Sequence, residues 1–189
     1  MDVSAPTELR LTVYASLFAA LIAAGAYLSI PIGPVPIVLQ NLFILLSGLL
    51  LGSRWGLASV SVYLLAGACG LPVFAGGMGG IGRLVGPTGG YLFGFLPAVY
   101  LIGKISEAGG QRVVFDVIAM ICGSLVIYAC GVTWLKVVTG MTLAKTLALG
   151  MYPFILGDLL KIAAAVPMTK TLRPIMKVSD SGVRGTGNR

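Results

Sequence analysis

Leu11 to Ile30 is a run of twenty residues without a charge, and it sets the first constraint on this chain. A helix needs about 20 apolar residues to cross a bilayer core. Similar runs recur from about Val35 to Leu51, from Trp55 to about Leu71, from Tyr91 to Ile102 or Ile105, from Val113 to Leu135, and from Pro153 to about Lys170. Six spans of that length use about 120 residues and leave about 70 for loops and ends, which suits a chain of 189. Charged residues make up only 10%, whereas a soluble domain carries about 25%. The expected fold class is therefore an all-α integral membrane protein with six transmembrane helices. A soluble enzyme, a disordered chain and a disulfide scaffold are excluded.

Charge and rare residues remove further classes. The net charge is +7, but the basic residues sit singly at the ends of apolar runs, as topology signals do. No basic stripe exists to hold nucleic acid. There is no histidine, which removes His-assisted nucleophilic catalysis and the commonest zinc sites. Cys69, Cys122 and Cys130 lie in apolar segments with no CxxC pair and read as small buried hydrophobes. Neither Lys145-Thr146 nor Lys170-Thr171 follows the glycines of a Walker A loop, so energy must come from partners or an ion gradient. An intramembrane enzyme is disfavoured by a single deep carboxylate where paired groups are usual. No catalytic residue, metal site or resident cofactor is expected.

The connections are informative. Residues 1–10 are a short polar tail without a signal-peptide pattern. Pro31 to Pro36 must break the first helix, and Gly52-Ser-Arg54 reads as a turn. Pro72 to Gly90 holds eight glycines in 19 residues, a long irregular loop of the kind that is often functional. It is read as either a flexible cap over a pocket or a plain connector. Its Gly77-Met-Gly-Gly-Ile-Gly82 matches GxGxxG but lacks the βαβ context and the following acid. Met141 to Leu149 is a short amphipathic piece, and residues 173–189 are a polar tail. With an even number of spans, nine basic residues fall on the side of the termini and Arg83, Lys136 and Lys145 on the other. Both termini are then cytoplasmic and the glycine-rich loop is extracytoplasmic.

Asp158 and Lys161 are the residues that most invite chemistry. A charge deep in a membrane helix costs about 2.5–3.5 kcal/mol on insertion scales, and two at i and i+3 share a face. They form either a ligand site or a structural ion pair between helices. Gln40 and Asn41 also need partners in hydrocarbon, from packing or from a ligand. On the first helix, Ala15, Ala19 and Ala23 make a small-residue stripe beside Ser16, Ala20 and Ala24. Such stripes allow close helix approach, either within the bundle or to another membrane protein.

Four segments taken in order carry a resemblance: Pro31-Ile-Gly-Pro-Val-Pro-Ile-Val-Leu-Gln40, Gly70-Leu-Pro-Val-Phe-Ala-Gly-Gly77, Gly86-Pro-Thr-Gly-Gly-Tyr-Leu-Phe-Gly-Phe95 and Pro153-Phe-Ile-Leu-Gly-Asp-Leu-Leu-Lys161. From about Arg10 to Thr171 the chain resembles the biotin-specific substrate-binding (S) component of energy-coupling factor (ECF) transporters, the BioY family. The resemblance implies a six-helix domain at 11–172 with a capping loop at 72–90, and cytoplasmic tails at 1–10 and 173–189. It implies high-affinity biotin uptake across the cytoplasmic membrane, with ATP hydrolysed by partner subunits attached to a transmembrane coupling subunit. Asp158 and Lys161 become the polar floor of the site, with Arg83 and Thr88 as side-chain donors in the loop. Tyr91, Gln40, Gly77 and Gly80 complete the candidate set. Ala15, Ala19 and Ala23 become the docking stripe. A self-sufficient transporter is the alternative, against which no internal repeat is seen.

Overall fold

The computed structural model describes residues 5–30, 35 and 37–181, with side chains described for all of these except 5–7, 29, 30, 37 and 177–181. Most of the proline-rich bend at 31–36 and the ends at 1–4 and 182–189 lie outside the described residues. The order is α1 (Ala5–Tyr27), β1 (Ser29–Ile30), β2 (Ile37–Val38), α2 (Gln40–Ala68), α3 (Ile81–Val85), α4 (Gly89–Ala108), α5 (Val113–Thr139), α6 (Leu143–Gly150) and α7 (Tyr152–Ser181). The two strands form a two-residue antiparallel ribbon, a single antiparallel bridge joins Phe74 and Met78, and the rest of the regular structure among the described residues is helical. Among the described residues, four stretches are long and apolar enough to cross a membrane: Glu8–Tyr27, Gln40–Ala68, Val113–Thr139 and Leu143–Met176.

The second of these stretches is not straight. Gly52 has φ 78° and ψ −176°, a backbone state essentially confined to glycine. A Cβ at Gly56 would lie 3.1 Å from the carbonyl oxygen of Ser47 and 3.2 Å from Cα of Gly48. In a continuous helix, eight residues would separate these positions by about 12 Å. The chain therefore folds back at Gly52 into two arms, at the turn expected from Gly52-Ser-Arg54. Glu107 of α4 braces the reversal, accepting from the Ser53 amide at 2.7 Å and from its hydroxyl at 3.1 Å. The first arm starts at Gln40 rather than near Val35, because the chain before it is taken up by the ribbon.

Helix ends differ from expectation elsewhere too, and α5 runs to Thr139 where Leu135 was expected. α1 begins at Ala5, so half of the supposed tail is helical. α4 extends from Gly89 to Ala108, giving a 20-residue helix where the shorter reading stopped at Ile102. α7 passes the expected end at Lys170 and runs to Ser181.

The reason for the last extension is Arg173. Its guanidinium donates to the Asp116 carboxylate at 2.9 and 3.1 Å, to the carbonyls of Gln111 at 2.7 Å and Leu49 at 3.0 Å, and to the Ser106 hydroxyl at 3.2 Å. Ser106 in turn donates to Asp116. This network ties α2, α4, α5 and α7 together at the end of the bundle that holds the Gly52 turn. Arg173 is thus an internal staple, not part of a free polar tail.

Apolar side chains fill the bundle in two adjoining clusters. One, around Leu45, Leu46, Leu49, Ile102, Met120 and Ala165, lies towards the Arg173 end. The other, around Tyr63, Phe74, Tyr91, Phe95, Ile127 and Tyr128, lies towards the glycine-rich segment and surrounds the pocket.

Candidate functional site

α7 carries Asp158 and Lys161 one turn apart, buried at 5% and 9% exposure. Lys161 Nζ lies 2.9 Å from Asp158 Oδ1, so the expected shared face is realised as a contact within one helix. The other carboxylate oxygen, Oδ2, accepts from the hydroxyl of Tyr128 on α5. Both oxygens of Asp158 are thereby engaged within the protein.

These side chains stand at a pocket of about 620 Å3, part of it open to solvent. Its wall carries Lys161 and Tyr128 but not Asp158, which is bonded to both of them. The apolar lining comes from Val35, Val38, Leu92, Ile127 and the rings of Phe74, Phe95 and Phe154. Gln40, Asn41, Thr88, Tyr91 and Arg83 supply the remaining polar groups. Segments more than a hundred residues apart in sequence converge here: the start of α2, the glycine-rich loop, α4, α5 and α7.

The guanidinium of Arg83, in the five-residue helix α3, makes no ion pair or hydrogen bond among the described residues. Lys161 is neutralised by Asp158, so Arg83 is the pocket's one uncompensated charge among them. Tyr91 serves differently. Its hydroxyl donates to the Gly150 carbonyl at 2.7 Å, and a Cβ at Gly131 would fall 2.2 Å from its ring. The ring is therefore clamped, and it offers the pocket an aromatic face.

The glycine-rich segment is more ordered than a bare loop. Phe74 is buried at 1% and meets Tyr63 edge to face, with centroids 5.6 Å apart. A Cβ at Gly67 would lie 2.1 Å from the Phe74 ring, so only glycine on α2 leaves room for this plug. The Gly80 amide donates to the Gly67 carbonyl at 2.7 Å. Farther along, the Trp134 indole N–H donates to the Gly86 carbonyl at 2.9 Å. Tyr27, the last residue of α1, donates to the Pro72 carbonyl.

Three sequence expectations change here. Gly77 and Gly80 do not line the pocket. Gly77 faces the Tyr27 ring and Gly80 opens α3, and both have positive φ, so they shape the backbone of the glycine-rich segment. Ala15 and Ala19 are buried within the bundle and Ala23 packs against its core, whereas Ser16, Ala20 and Ala24 are exposed. The free small-residue stripe is the neighbouring one, a rotation of about 100° per residue around the helix. Finally, Asp158 touches the pocket through Lys161 and Tyr128. Tyr128 and Phe74 join the site without standing among the candidates from sequence. A hydroxyl in an uncharged span needs a partner, and that signal was available for Tyr128; nothing local marks Phe74.

Comparison with known proteins agrees with this architecture. The sequence profile of the BioY family matches residues 1–178. The biotin transporter BioY of Thermotoga maritima is 40% identical over 167 residues, covering 88% of this chain and 98% of that protein. A probable biotin transporter BioY of Pyrococcus horikoshii is 42% identical over 158 residues, covering 84% and 93%. The crystal structure of the S-component for biotin from an ECF-type ABC transporter superposes with a TM-score of 0.84 at 32% identity, covering 92% of this chain and 95% of that one. With its helical bundle and a family match over nearly its whole length, this chain belongs to the BioY family of transporters.

Proposed function

We propose that this chain binds biotin and serves as the substrate-specific subunit of an ECF-type transporter. The observation that carries this reading is the charge arrangement of the pocket. An apolar, aromatic enclosure has an ion-paired lysine on one wall and an unpaired arginine at the cap. Biotin has a neutral ureido head, an apolar bicycle and chain, and one carboxylate. Concave, mostly apolar pockets with few placed polar groups suit ligands of this kind. An ammonium has three donors, so Lys161 keeps two after bonding Asp158. The Tyr128 hydroxyl spends its proton on Asp158 and presents its oxygen as an acceptor. Together they suit a ureido carbonyl and N–H, while Arg83 takes the carboxylate at the mouth. Asp158 orients both groups.

The same reading extends to topology and partners. α1, the two arms of α2, α4, α5 and α7 make six crossings of a cytoplasmic membrane, which puts both termini on one side. Arg10 donates to the Met176 carbonyl at 3.3 Å, so the start of α1 and the end of α7 meet at one end of the bundle. The excess of basic residues at that end makes it cytoplasmic, and the cap then faces outside. The exposed stripe Ser16, Ala20 and Ala24 is the docking face for a transmembrane coupling subunit, which connects to ATPase subunits.

Titrating biotin into the detergent-purified protein tests the binding step, and uptake with and without the energising subunits tests the coupling. Folded protein that does not bind biotin would defeat the proposal. Full uptake by the chain alone would make it a self-sufficient transporter.

A further inference from the structure

α3 has two faces, and only one of them meets the pocket. Arg83 lines the pocket. Ile81 and Val85 each stand two positions from it, a rotation of about 200° around the helix, so they share the opposite face. They are 66% and 58% exposed, and Met78, which leads into the helix, is exposed as well. Neighbouring exposed apolar side chains mark an interaction surface.

What covers this face follows from where α3 is fastened. Gly86, the residue after Val85, accepts from the Trp134 indole N–H at 2.9 Å. Trp134 belongs to α5, one of the stretches able to cross a membrane. Its ring meets that of Phe93 on α4 edge to face, with centroids 6.2 Å apart, and Phe93 is itself exposed. Along α5, Val114, Ile118, Ile121 and Leu125 form an exposed apolar stripe at helical spacing, which continues through Ala129 and Thr133 to the exposed Lys136. That stripe faces lipid. Tryptophan and lysine mark the level where hydrocarbon gives way to headgroups, and Trp134 lies about 3 Å along the axis from Lys136. The end of α3 is thus fastened at interface depth, on the lipid-facing edge of the bundle.

We propose that the outward face of α3 docks on membrane lipid, with Ile81 and Val85 seated at the boundary between headgroups and acyl chains. The inference needs the membrane-spanning bundle and not the identity of the ligand.

The boundary suits both parts of this segment. The chain is irregular on either side of α3, and its free backbone groups could not be satisfied in hydrocarbon, whereas water among the headgroups reaches them. The apolar side chains of an interfacial helix gain by dipping into the acyl region. Lipid on one face of α3 also fixes the face it turns to the pocket. Arg83 is therefore held towards the pocket by contacts that Ile81 and Val85 make outside the protein, and α3 cannot swing away without leaving lipid.

The test reads spin-label accessibility in phosphatidylcholine vesicles. The full chain carries Cys69→Ala, Cys122→Ala and Cys130→Ala, and single cysteines are introduced as Ile81→Cys, Val85→Cys and Arg83→Cys and labelled with a nitroxide. Oxygen, which partitions into lipid, and a nickel chelate, which stays in water, then compete to relax each label. Leu125→Cys supplies the lipid reference. Ala108→Cys, exposed beside the turn at 109–111, supplies the aqueous one. The oxygen-to-nickel ratio should be severalfold higher for Ile81→Cys and Val85→Cys than for Ala108→Cys, with Arg83→Cys low between them. Either outward site decides, so poor folding of one variant leaves the proposal exposed to the other. A ratio at both sites equal to that of Ala108→Cys would put this face in water and overturn the inference. Labels shielded from both agents and coupled to each other between molecules would make the occupant a second copy of the chain, which also overturns it. The measurement is made without biotin, so failure of the chain to bind biotin would defeat the functional reading alone.

Discussion

Asp158 and Tyr128 stand thirty positions apart in sequence and meet in a buried hydrogen bond, the tyrosine hydroxyl donating to Oδ2 while Oδ1 holds Lys161 at 2.9 Å. One carboxylate therefore sets the orientation of two pocket-lining groups on different helices. In a low-dielectric site such a connected network is stronger than its separate pairs, and a partial loss is costly.

Asp158→Asn should lower biotin affinity by tenfold to a few hundredfold, because hydrogen bonds to charged groups contribute about 1.5–3 kcal/mol and Lys161 loses its counter-charge. Tyr128→Phe should have a smaller effect in the same direction. Titration of folded variants decides this. Unchanged affinity in Asp158→Asn would remove the carboxylate from the binding account.

Arg83→Ala should weaken biotin markedly and biotin amide hardly at all, since the uncharged amide gains little from the guanidinium. The two ligands should then bind the variant about equally. A parallel loss for both would place Arg83 in the cap's structure and not at the carboxylate.

Gly67→Ala should force Phe74 from its seat, given a Cβ position 2.1 Å from the ring. Biotin should dissociate faster, with the bundle still folded, in a stopped-flow displacement measurement. Phe74→Ala should accelerate release as well. A variant Gly67→Ala with wild-type release would mean the plug does not hold the cap.

Breaking the Arg173 staple should act on stability. Removal of one partner of a buried ion pair costs about 3–5 kcal/mol, so Asp116→Ala and Arg173→Ala should each unfold at lower temperature in detergent. Biotin affinity of the remaining folded protein should be unchanged, because the network lies at the opposite end from the pocket. Wild-type thermal stability in both variants would refute the staple.

Tryptophan scanning of α1 separates its two stripes. Ala20→Trp, on the exposed side, should abolish uptake with biotin binding intact, since bulk prevents close helix approach. Ala19→Trp, in the core, should lose folding and binding together. The reverse pattern would restore Ala15, Ala19 and Ala23 as the docking face.

What can be read along the chain is set by short-range physics. Uncharged runs of helical length, the glycine turn at Gly52, Pro153 in the first turn of α7, and the i, i+3 placement of Asp158 and Lys161 depend on a few neighbouring residues, and all are recovered in the structure. The rotation of each helix about its axis is different. In a soluble protein a polar face marks the outside, but in a membrane helix both faces are apolar and that signal disappears. α1 therefore carried two equivalent small-residue stripes, and only packing against α2 decided that Ala15 and Ala19 go inside. The same holds for the reach of Arg173 to Leu49, 124 positions away, and for Phe74 in the niche at Gly67. A lone arginine near a helix end reads as a topology signal, and only the arrival of Leu49, Ser106 and Asp116 from three other helices and of Gln111 from the turn between α4 and α5 makes it a buried anchor.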